Sequence, residues 1–166
     1  MAFTWKGDLK VNDLKQNEKD FWQKYIVTLP EHERPTNPHV EAQFAGNREI
    51  TDDLLELYLI GKKTAGSGLV EDYISSGAPL PKVGNYWILL NSRDEPGCIL
   101  RTERTITHKF KDVPVEIAIA EGEGDLSLAY WRHVHKEFFR PFLSRWNVEN
   151  IEEATVITEF FKVVYR

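Results

Sequence analysis

Apolar residues recur every three or four positions in three segments of the chain, and this spacing predicts three amphipathic helices. The helices cover residues 11–27, about 50–60 and about 127–140. Gly61 follows the second segment and Pro141 the third, and both residues are typical of the end of a helix.

Three further segments, 86–91, 98–106 and 154–164, predict strands. Residues 91–97, between the first two, have the composition of a hairpin connection. The last segment carries apolar residues on both faces, which indicates a strand buried from both sides, as inside a barrel. Together the helices and strands predict a mixed α+β fold.

Three prolines, Pro30, Pro35 and Pro38, follow the first helix, and residues 28–39 are therefore interpreted as a linker. The prediction is an N-terminal helical extension and linker over 1–39 and a main domain over 40–166. The chain has 166 residues, 42% of them hydrophobic, and a domain of this size buries roughly 70% of its unfolded surface.

The composition narrows the class of protein. The single cysteine, Cys98, cannot form an internal disulfide framework, and no apolar run approaches the roughly 20 residues that span a bilayer. The start of the sequence lacks the pattern of a signal peptide, so a cytoplasmic protein without membrane contact is expected. The formal net charge of −5 means that any nucleic acid must contact a local basic patch, whereas a small nucleoside needs none.

Two polar, glycine-rich loops are candidates for chemistry. Residues 61–68, with Lys62 and Lys63, form the most loop-like stretch of the chain. They lack the spacing of a Walker A motif, because Glu56 stands where a glycine is required. The alternative interpretation is the end of a helix with two solvated lysines, which complement the helix dipole.

The second loop, residues 121–125, has three carboxylates within five residues. They could bind a divalent cation such as Mg²⁺ or transfer protons. Alternatively, Asp125 and its neighbours complement the start of the next helix, with Ser127 as its N-cap, and both interpretations can hold together.

His133 and His135 do not form a metal site on a regular helix, because two residues of separation turn their side chains roughly 200° apart. His135 lies on the apolar face and is predicted to be a hydrogen-bonded core residue. Cys98, within a strand, is expected to be a small buried residue.

Four stretches in this order resemble the ASCH domain, one of the PUA-like small barrels. The resemblance covers about residues 40–166, and the last stretch is the most specific. The stretches are Gly61-Lys62-Lys63-Thr64-Ala65, Pro81-Lys82-Val83-Gly84, Pro96-Gly97-Cys98-Ile99 and Glu121-Gly122-Glu123-Gly124-Asp125-Leu126-Ser127-Leu128-Ala129-Tyr130-Trp131-Arg132. The N-terminal helix resembles an extension of longer bacterial members.

The resemblance implies a small β-barrel with a curved mixed sheet, flanked by helices, and a cleft where the lysine loop faces the carboxylate loop. It also implies a role linked to RNA. Some small members hydrolyse the acetyl amide of N4-acetylcytidine with a lysine, a threonine and a glutamate. Some longer members are similar to metal-dependent ribonucleases that use Mg²⁺ or Mn²⁺, and for others the resemblance implies binding alone.

Transferred residue by residue, the resemblance places the catalytic lysine at Lys63 and the glutamate in the Glu121–Glu123 loop, with Glu123 favoured. The catalytic threonine falls on Gly66, which has no hydroxyl, so Thr64 and Ser67 become the nearest hydroxyl groups. A ribonuclease-like site would also include Ser127. The segment 43–46 departs from the family pattern as well.

The sequence therefore predicts an ASCH-domain protein whose polar cleft binds RNA or a modified nucleoside. The alternative is a hydrolase, either an amidohydrolase of a modified cytidine or a metal-dependent ribonuclease, in which Lys63 is a base if its surroundings lower its pKa. We expect Lys62, Lys63 and Lys82 to form the basic patch. Tyr86 and Trp131 are candidates for stacking on a base, although they could equally be core residues.

Overall fold

The computed structural model describes residues 10–166. Within these residues, five strands form one sheet, and five α-helices pack around it. The strands are β1 (Val40–Phe44), β2 (Ala65–Leu69), β3 (Tyr86–Leu90), β4 (Pro96–Lys109) and β5 (Thr155–Tyr165). The helices are α1 (Gln16–Thr28), α2 (Thr51–Leu59), α3 (Val70–Ser76), α4 (Val115–Glu121) and α5 (Leu128–Phe139).

The sheet is mixed, with the strand order β1-β3-β4-β5-β2. β1 runs parallel to β3, and the remaining neighbours are antiparallel. Irregular register between Ile99 and Leu100 and between Thr102 and Arg104 bends the long strand β4. The result is the curled, half-closed barrel that the sequence predicted.

Strand β3 is buried over its whole length because helices cover both faces of the sheet. Tyr86, Ile88 and Leu90 point to the side of α1, where they pack with Trp22 and Tyr25. Trp87 and Leu89 point to the other side, against Leu55 and Tyr58 of α2. The N-terminal helix therefore shares a core with the sheet, while the 1–39 and 40–166 division itself remains a prediction.

A third cluster joins the C-terminal half of the chain. Phe110, Ile117, Trp131 and Phe139 pack with Val156 of β5, so α4 and α5 are held against the end of the sheet. This packing fixes where the carboxylate loop after α4 lies.

The predicted helices near 50–60 and 127–140 and all three predicted strands are present, with β4 longer than expected. The first predicted helix is confirmed only from Gln16, after a short 3₁₀ turn at Val11–Asp13. Strand β1 and helices α3 and α4 were not predicted. Within residues 10–166, no helix is both long and apolar enough to cross a membrane.

The prediction that residues 61–68 are entirely loop is wrong. From Ala65 onward the chain is strand β2, paired antiparallel with β5 so that Ser67 lies opposite Thr158. The segment has too many glycines to show the alternation of apolar and polar residues that is typical of a strand. It is extended because it forms hydrogen bonds with β5, which is remote in sequence.

Candidate functional site

A cavity of about 320 Å³ is lined by residues from all five strands and from helices α2, α3, α4 and α5. Its walls are largely aromatic and aliphatic, and polar side chains enter it from several elements. The aromatic side chains are Phe44, Tyr58, Tyr73, Trp87, Phe138, Phe139, Phe142, Trp146 and Phe161.

One polar group of the cavity is an ammonium held between two carboxylates. The Nζ of Lys63 lies 2.6 Å from Glu123 Oε1 and 3.2 Å from Glu121 Oε2. It also donates to the backbone carbonyl of Glu121 at 3.3 Å. An ammonium has three protons, so these three acceptors account for all of its donors.

The backbone brings this group together through a glycine. Gly122 ends α4 in the left-handed conformation with φ +69°, and a Cβ there would lie 2.2 Å from the carbonyl oxygen of Lys62. The Thr64 N–H donates to Ala120 at 2.8 Å. Close backbone contact between the two loops therefore places Glu121 and Glu123 on either side of Lys63.

Glu121 is the most heavily bonded side chain of the site. Its Oε1 accepts from Ser67 Oγ at 2.5 Å and from Trp131 Nε1 at 2.8 Å. Its Oε2 faces Lys63 and lies 3.4 Å from Nε2 of His135. Glu121 is 2% exposed, and each of its two carboxylate oxygens lies close to two polar side chains.

His135 connects this group to α5. Its Nδ1 lies 2.8 Å from the carbonyl oxygen of Trp131, which can only accept, so Nδ1 carries a proton in this contact. Its ring stacks on Trp131 with the centroids 4.0 Å apart. The prediction that His135 is a hydrogen-bonded core residue is confirmed. His133 is exposed, as expected from the different directions in which the two side chains leave the helix.

The charges in this group stabilise each other. Burial by itself would lower the pKa of Lys63, but Tyr58, Glu121 and Glu123 outweigh burial and hold that pKa above its ordinary value. Burial would raise the pKa of Glu121, but Lys63, His135 and the hydrogen bond from Ser67 hold it well below its usual range. The pair is therefore ionised at neutral pH. The idea of Lys63 as a base with a lowered pKa is wrong, because its neighbours are acidic.

Ser67 lies on the cavity wall beside Glu121. Its hydroxyl has one proton, which goes to Glu121, so in its 2.8 Å contact with Thr158 the serine accepts and the threonine donates. Ser67 is thereby held in one orientation.

A second polar group, which sequence reasoning missed, is centred on Glu159 of β5. This carboxyl is 7% exposed and lines the same cavity. Its Oε2 accepts from Thr102 Oγ1 at 2.7 Å and from Trp87 Nε1 at 3.0 Å. Burial raises its pKa to about 7, against the lowering effect of these two bonds. The feature of the sequence that could have revealed this group is one acidic residue among the apolar residues of the last strand.

The other predicted polar residues lie apart from the cavity. Thr64 is exposed, and its hydroxyl donates to the Ala120 carbonyl at 3.1 Å. Ser127 caps α5 by accepting a hydrogen bond from Tyr130 N at 3.0 Å. This confirms the interpretation of Ser127 as the N-cap of the helix after the carboxylate loop. Lys62 and Lys82 are exposed, and neither lines the cavity.

The two predicted stacking residues are core side chains. Tyr86 is 5% exposed and packs edge-on against Trp22, with centroids 4.9 Å apart. Trp131 is 2% exposed and covered by His135. Neither offers a free face to a base, whereas Trp87, the next residue after Tyr86, lines the cavity because alternate strand residues point to opposite faces.

Of the three carboxylates considered for a divalent cation, those of Glu121 and Glu123 have the ammonium of Lys63 between them. Across residues 10–166, no three histidine, cysteine, aspartate or glutamate side chains are grouped so that they could hold a metal ion. The acidic group is therefore balanced by a lysine.

The curled mixed sheet with flanking helices and an internal cavity defines a PUA-like domain. The sequence pattern of the ASCH domain matches residues 40–165, and the chain belongs to this family. The match begins at β1 and ends in β5, so it contains every residue of both polar groups.

Two solved structures are similar to this chain. The ASCH domain of Lactobacillus crispatus is 25% identical, with a TM-score of 0.87 and 100% of each chain covered. A protein from Enterococcus faecalis, assigned to the family DUF984, is 28% identical, with a TM-score of 0.77 over 90% of this chain and 89% of that one. No protein of curated function matches the sequence.

Proposed function

We propose that the protein binds one uncharged, nucleoside-sized molecule in the cavity. The observation that carries this proposal is a single cavity of about 320 Å³ with aromatic walls and two buried polar groups, around Glu121 and around Glu159. Small-molecule sites have volumes of about 300–1,000 Å³, so this cavity suits a small ligand, such as one base with its sugar.

The charge of the lining favours a nucleoside over a nucleotide or an RNA strand. Five acidic residues line the cavity, and Lys63 is the one lysine or arginine among the lining residues that the structure describes. Its donors are already taken by two glutamates. A phosphate would therefore meet excess negative charge with no free cation. The acidic residues are Glu41, Asp72, Glu121, Glu123 and Glu159.

Isothermal titration calorimetry at pH 6 tests the proposal with cytidine, uridine, adenosine and guanosine, with their 5′-monophosphates and with a short single-stranded RNA. We expect at least one nucleoside to bind, its monophosphate to bind at least tenfold more weakly, and the RNA to bind no better than the monophosphate. RNA binding without nucleoside binding would contradict the proposal.

A blocking variant locates the binding. A Cβ at Gly68 would contact Tyr73 at an ordinary 3.7 Å, so Gly68→Leu fits the strand while its longer side chain fills the cavity. We expect this variant to lose nucleoside binding. Glu56→Leu, on the exposed side of α2, is the matched control and should bind as the wild type does.

Hydrolysis of the ligand is the second candidate, and Ser67 is the observation that favours it. Its hydroxyl lies on the cavity wall and donates to a carboxylate at 2.5 Å, a pairing that suits a nucleophile. The low pKa of Glu121 makes this carboxylate a weak base, so binding is the function that the geometry supports better.

A further inference from the structure

Glu159 is an acidic residue in a mostly apolar part of the cavity wall. It sits in the middle of β5 between two apolar residues of the strand wall, Ile157 and Phe161. In the strand register it lies directly opposite Gly66, so the two share a face of the sheet. Since Gly66 has no side chain, the residue opposite Glu159 on the β2 side does not cover its carboxyl group.

The hydrogen bonds of Glu159 determine which of its oxygens carries a proton. An indole N–H can only donate, so Oε2 accepts from Trp87, and it also accepts from Thr102. These two bonds use both lone pairs of Oε2. A proton on this carboxyl therefore belongs on Oε1.

The titratable groups that face Glu159 come from three other elements. Glu41 of β1 raises its pKa, and His39, just before β1, lowers it. Tyr58 of α2 and Tyr73 of α3 are close enough for the charge of Glu159 to raise their own pKa values. From β3 and β4 the contacts are Trp87 and Thr102, whose hydrogen bonds favour the ionised form.

Glu121 and Glu159 thus differ in one respect that decides their charge. Glu121 is buried against the ammonium of Lys63 and is ionised. Glu159 is buried beside another carboxylate and has no lysine partner among its hydrogen bonds and ion pairs in residues 10–166. The cavity therefore has an ionised, fully bonded end and an end whose carboxyl can be neutral.

We propose that Glu159, in its neutral form, is the residue that recognises the ligand. Its Oε1 hydroxyl donates a hydrogen bond to a ring nitrogen or carbonyl acceptor of an uncharged base. Lys63 supports the cavity wall, because all of its donors are already used. This inference rests on the proposed nucleoside binding and assigns the ligand contact to a residue outside the lysine and carboxylate loops.

The substitution Glu159→Gln provides a sharp test. The amide oxygen can accept from Trp87 and Thr102 as Oε2 does, and the amide NH₂ then donates into the cavity at every pH. The glutamine therefore keeps the hydrogen-bonding pattern of the neutral acid and removes its titration. Glu103→Gln, an exposed position on β4, is the matched control.

The measurement is the affinity for the best-binding of the four nucleosides between pH 6 and pH 8. We expect the wild type and Glu103→Gln to lose about tenfold over this range as Glu159 ionises. Glu159→Gln should stay within about threefold of its pH 6 affinity, and Glu159→Ala should bind at least tenfold more weakly at pH 6.

A second measurement reads the same carboxyl without ligand. The Trp87 indole N–H donates to Glu159, so its ¹H–¹⁵N NMR signal should move with a midpoint near pH 7 in the wild type and should not move in Glu159→Gln. A pH-independent wild-type affinity, or the same pH dependence in Glu159→Gln, would overturn the inference. Failure of the wild type to bind any nucleoside would overturn the proposed function itself and this inference with it.

Discussion

Lys63 and Glu121 form an ion pair inside the protein, with Nζ 3.2 Å from Oε2 and side-chain exposures of 5% and 3%. The two residues are 58 positions apart in the chain. The pair closes one end of the cavity by joining the start of the β2 segment to the end of α4. Its burial makes it important to stability, because neither charge can turn to solvent if its partner is removed.

We expect Glu121→Gln to lower the free energy of unfolding by about 3–5 kcal/mol, because it leaves the ammonium of Lys63 with less compensation. Glu123→Gln is the matched variant: Glu123 touches the same ammonium but is 22% exposed, so its loss should cost less than half as much. Urea denaturation at pH 7 measures both. Equal losses would mean that burial does not distinguish the two carboxylates.

The double variant Lys63→Met/Glu121→Gln removes both charges together. It should recover part of the stability that Glu121→Gln loses, since no uncompensated ammonium remains. A double variant less stable than either single variant would contradict this account of the pair.

Glu159 should make stability fall as the pH rises. Its pKa is about 7 in the folded chain, against an ordinary value of 4.5, so between these values the folded state binds more protons than the unfolded state. Raising the pH from 5 to 8 should therefore cost the wild type about 2–3 kcal/mol at this residue. Glu159→Gln should lose this dependence and be the more stable protein at pH 8. Thermal and urea unfolding at both pH values measures the difference, and a parallel loss in both proteins would contradict it.

Gly122 should tolerate no side chain. It has φ +69°, and an added Cβ would lie 2.2 Å from a backbone oxygen that cannot move independently. We expect Gly122→Ala to lower the melting temperature, with a loss of at least about 2 kcal/mol, and to weaken nucleoside binding by displacing Glu121 and Glu123. Gly61→Ala, with φ +76° but open space around its Cβ, is the control for strain alone and should cost less. Equal losses would mean that the loop contact contributes nothing.

Amide hydrolysis of N4-acetylcytidine should be weak or undetectable. Gly66 stands where the resemblance to the ASCH domain places the catalytic threonine, and glycine has no hydroxyl. Gly66→Thr should raise the rate: a Cβ there would lie 3.2 Å from Tyr58 Oη, so only a small shift of that ring is needed. Chromatographic detection of cytidine and acetate measures the reaction. Robust wild-type turnover would show that another hydroxyl acts, with Ser67→Ala as the variant that identifies it.

Binding of single-stranded RNA, if it occurs, should depend little on salt. Lys63 is buried, so of the expected basic patch only Lys62 and Lys82 reach solvent. Two phosphate contacts give a slope of log K against log salt of about −1.4. Fluorescence anisotropy at several salt concentrations, with Lys62→Ala/Lys82→Ala as the variant, measures it, and a slope steeper than about −3 would require a basic surface elsewhere.

The sequence by itself determined the family and most of the framework. Helix α5 and strands β3 to β5 follow from the local spacing of apolar residues, which does not depend on tertiary packing. Ser127 as an N-cap and His135 as a core residue followed in the same way, because caps and helical faces depend on neighbours a few positions away. That the lysine loop faces the carboxylate loop was implied by the resemblance of their motifs to the ASCH domain.

Only the tertiary structure decided which side chains meet in the cavity. Lys62 and Lys63 look alike in sequence, yet the first is exposed and the second is buried. Thr64, just before β2, is exposed, whereas Ser67 meets Glu121, and the register of β2 on β5 places Gly66 opposite Glu159. Ser67 alone contacts Glu121 and Thr158, which lie 54 and 91 positions further along the chain. No periodicity in one segment specifies such contacts, because a one-residue change of register would exchange the two faces of the strand.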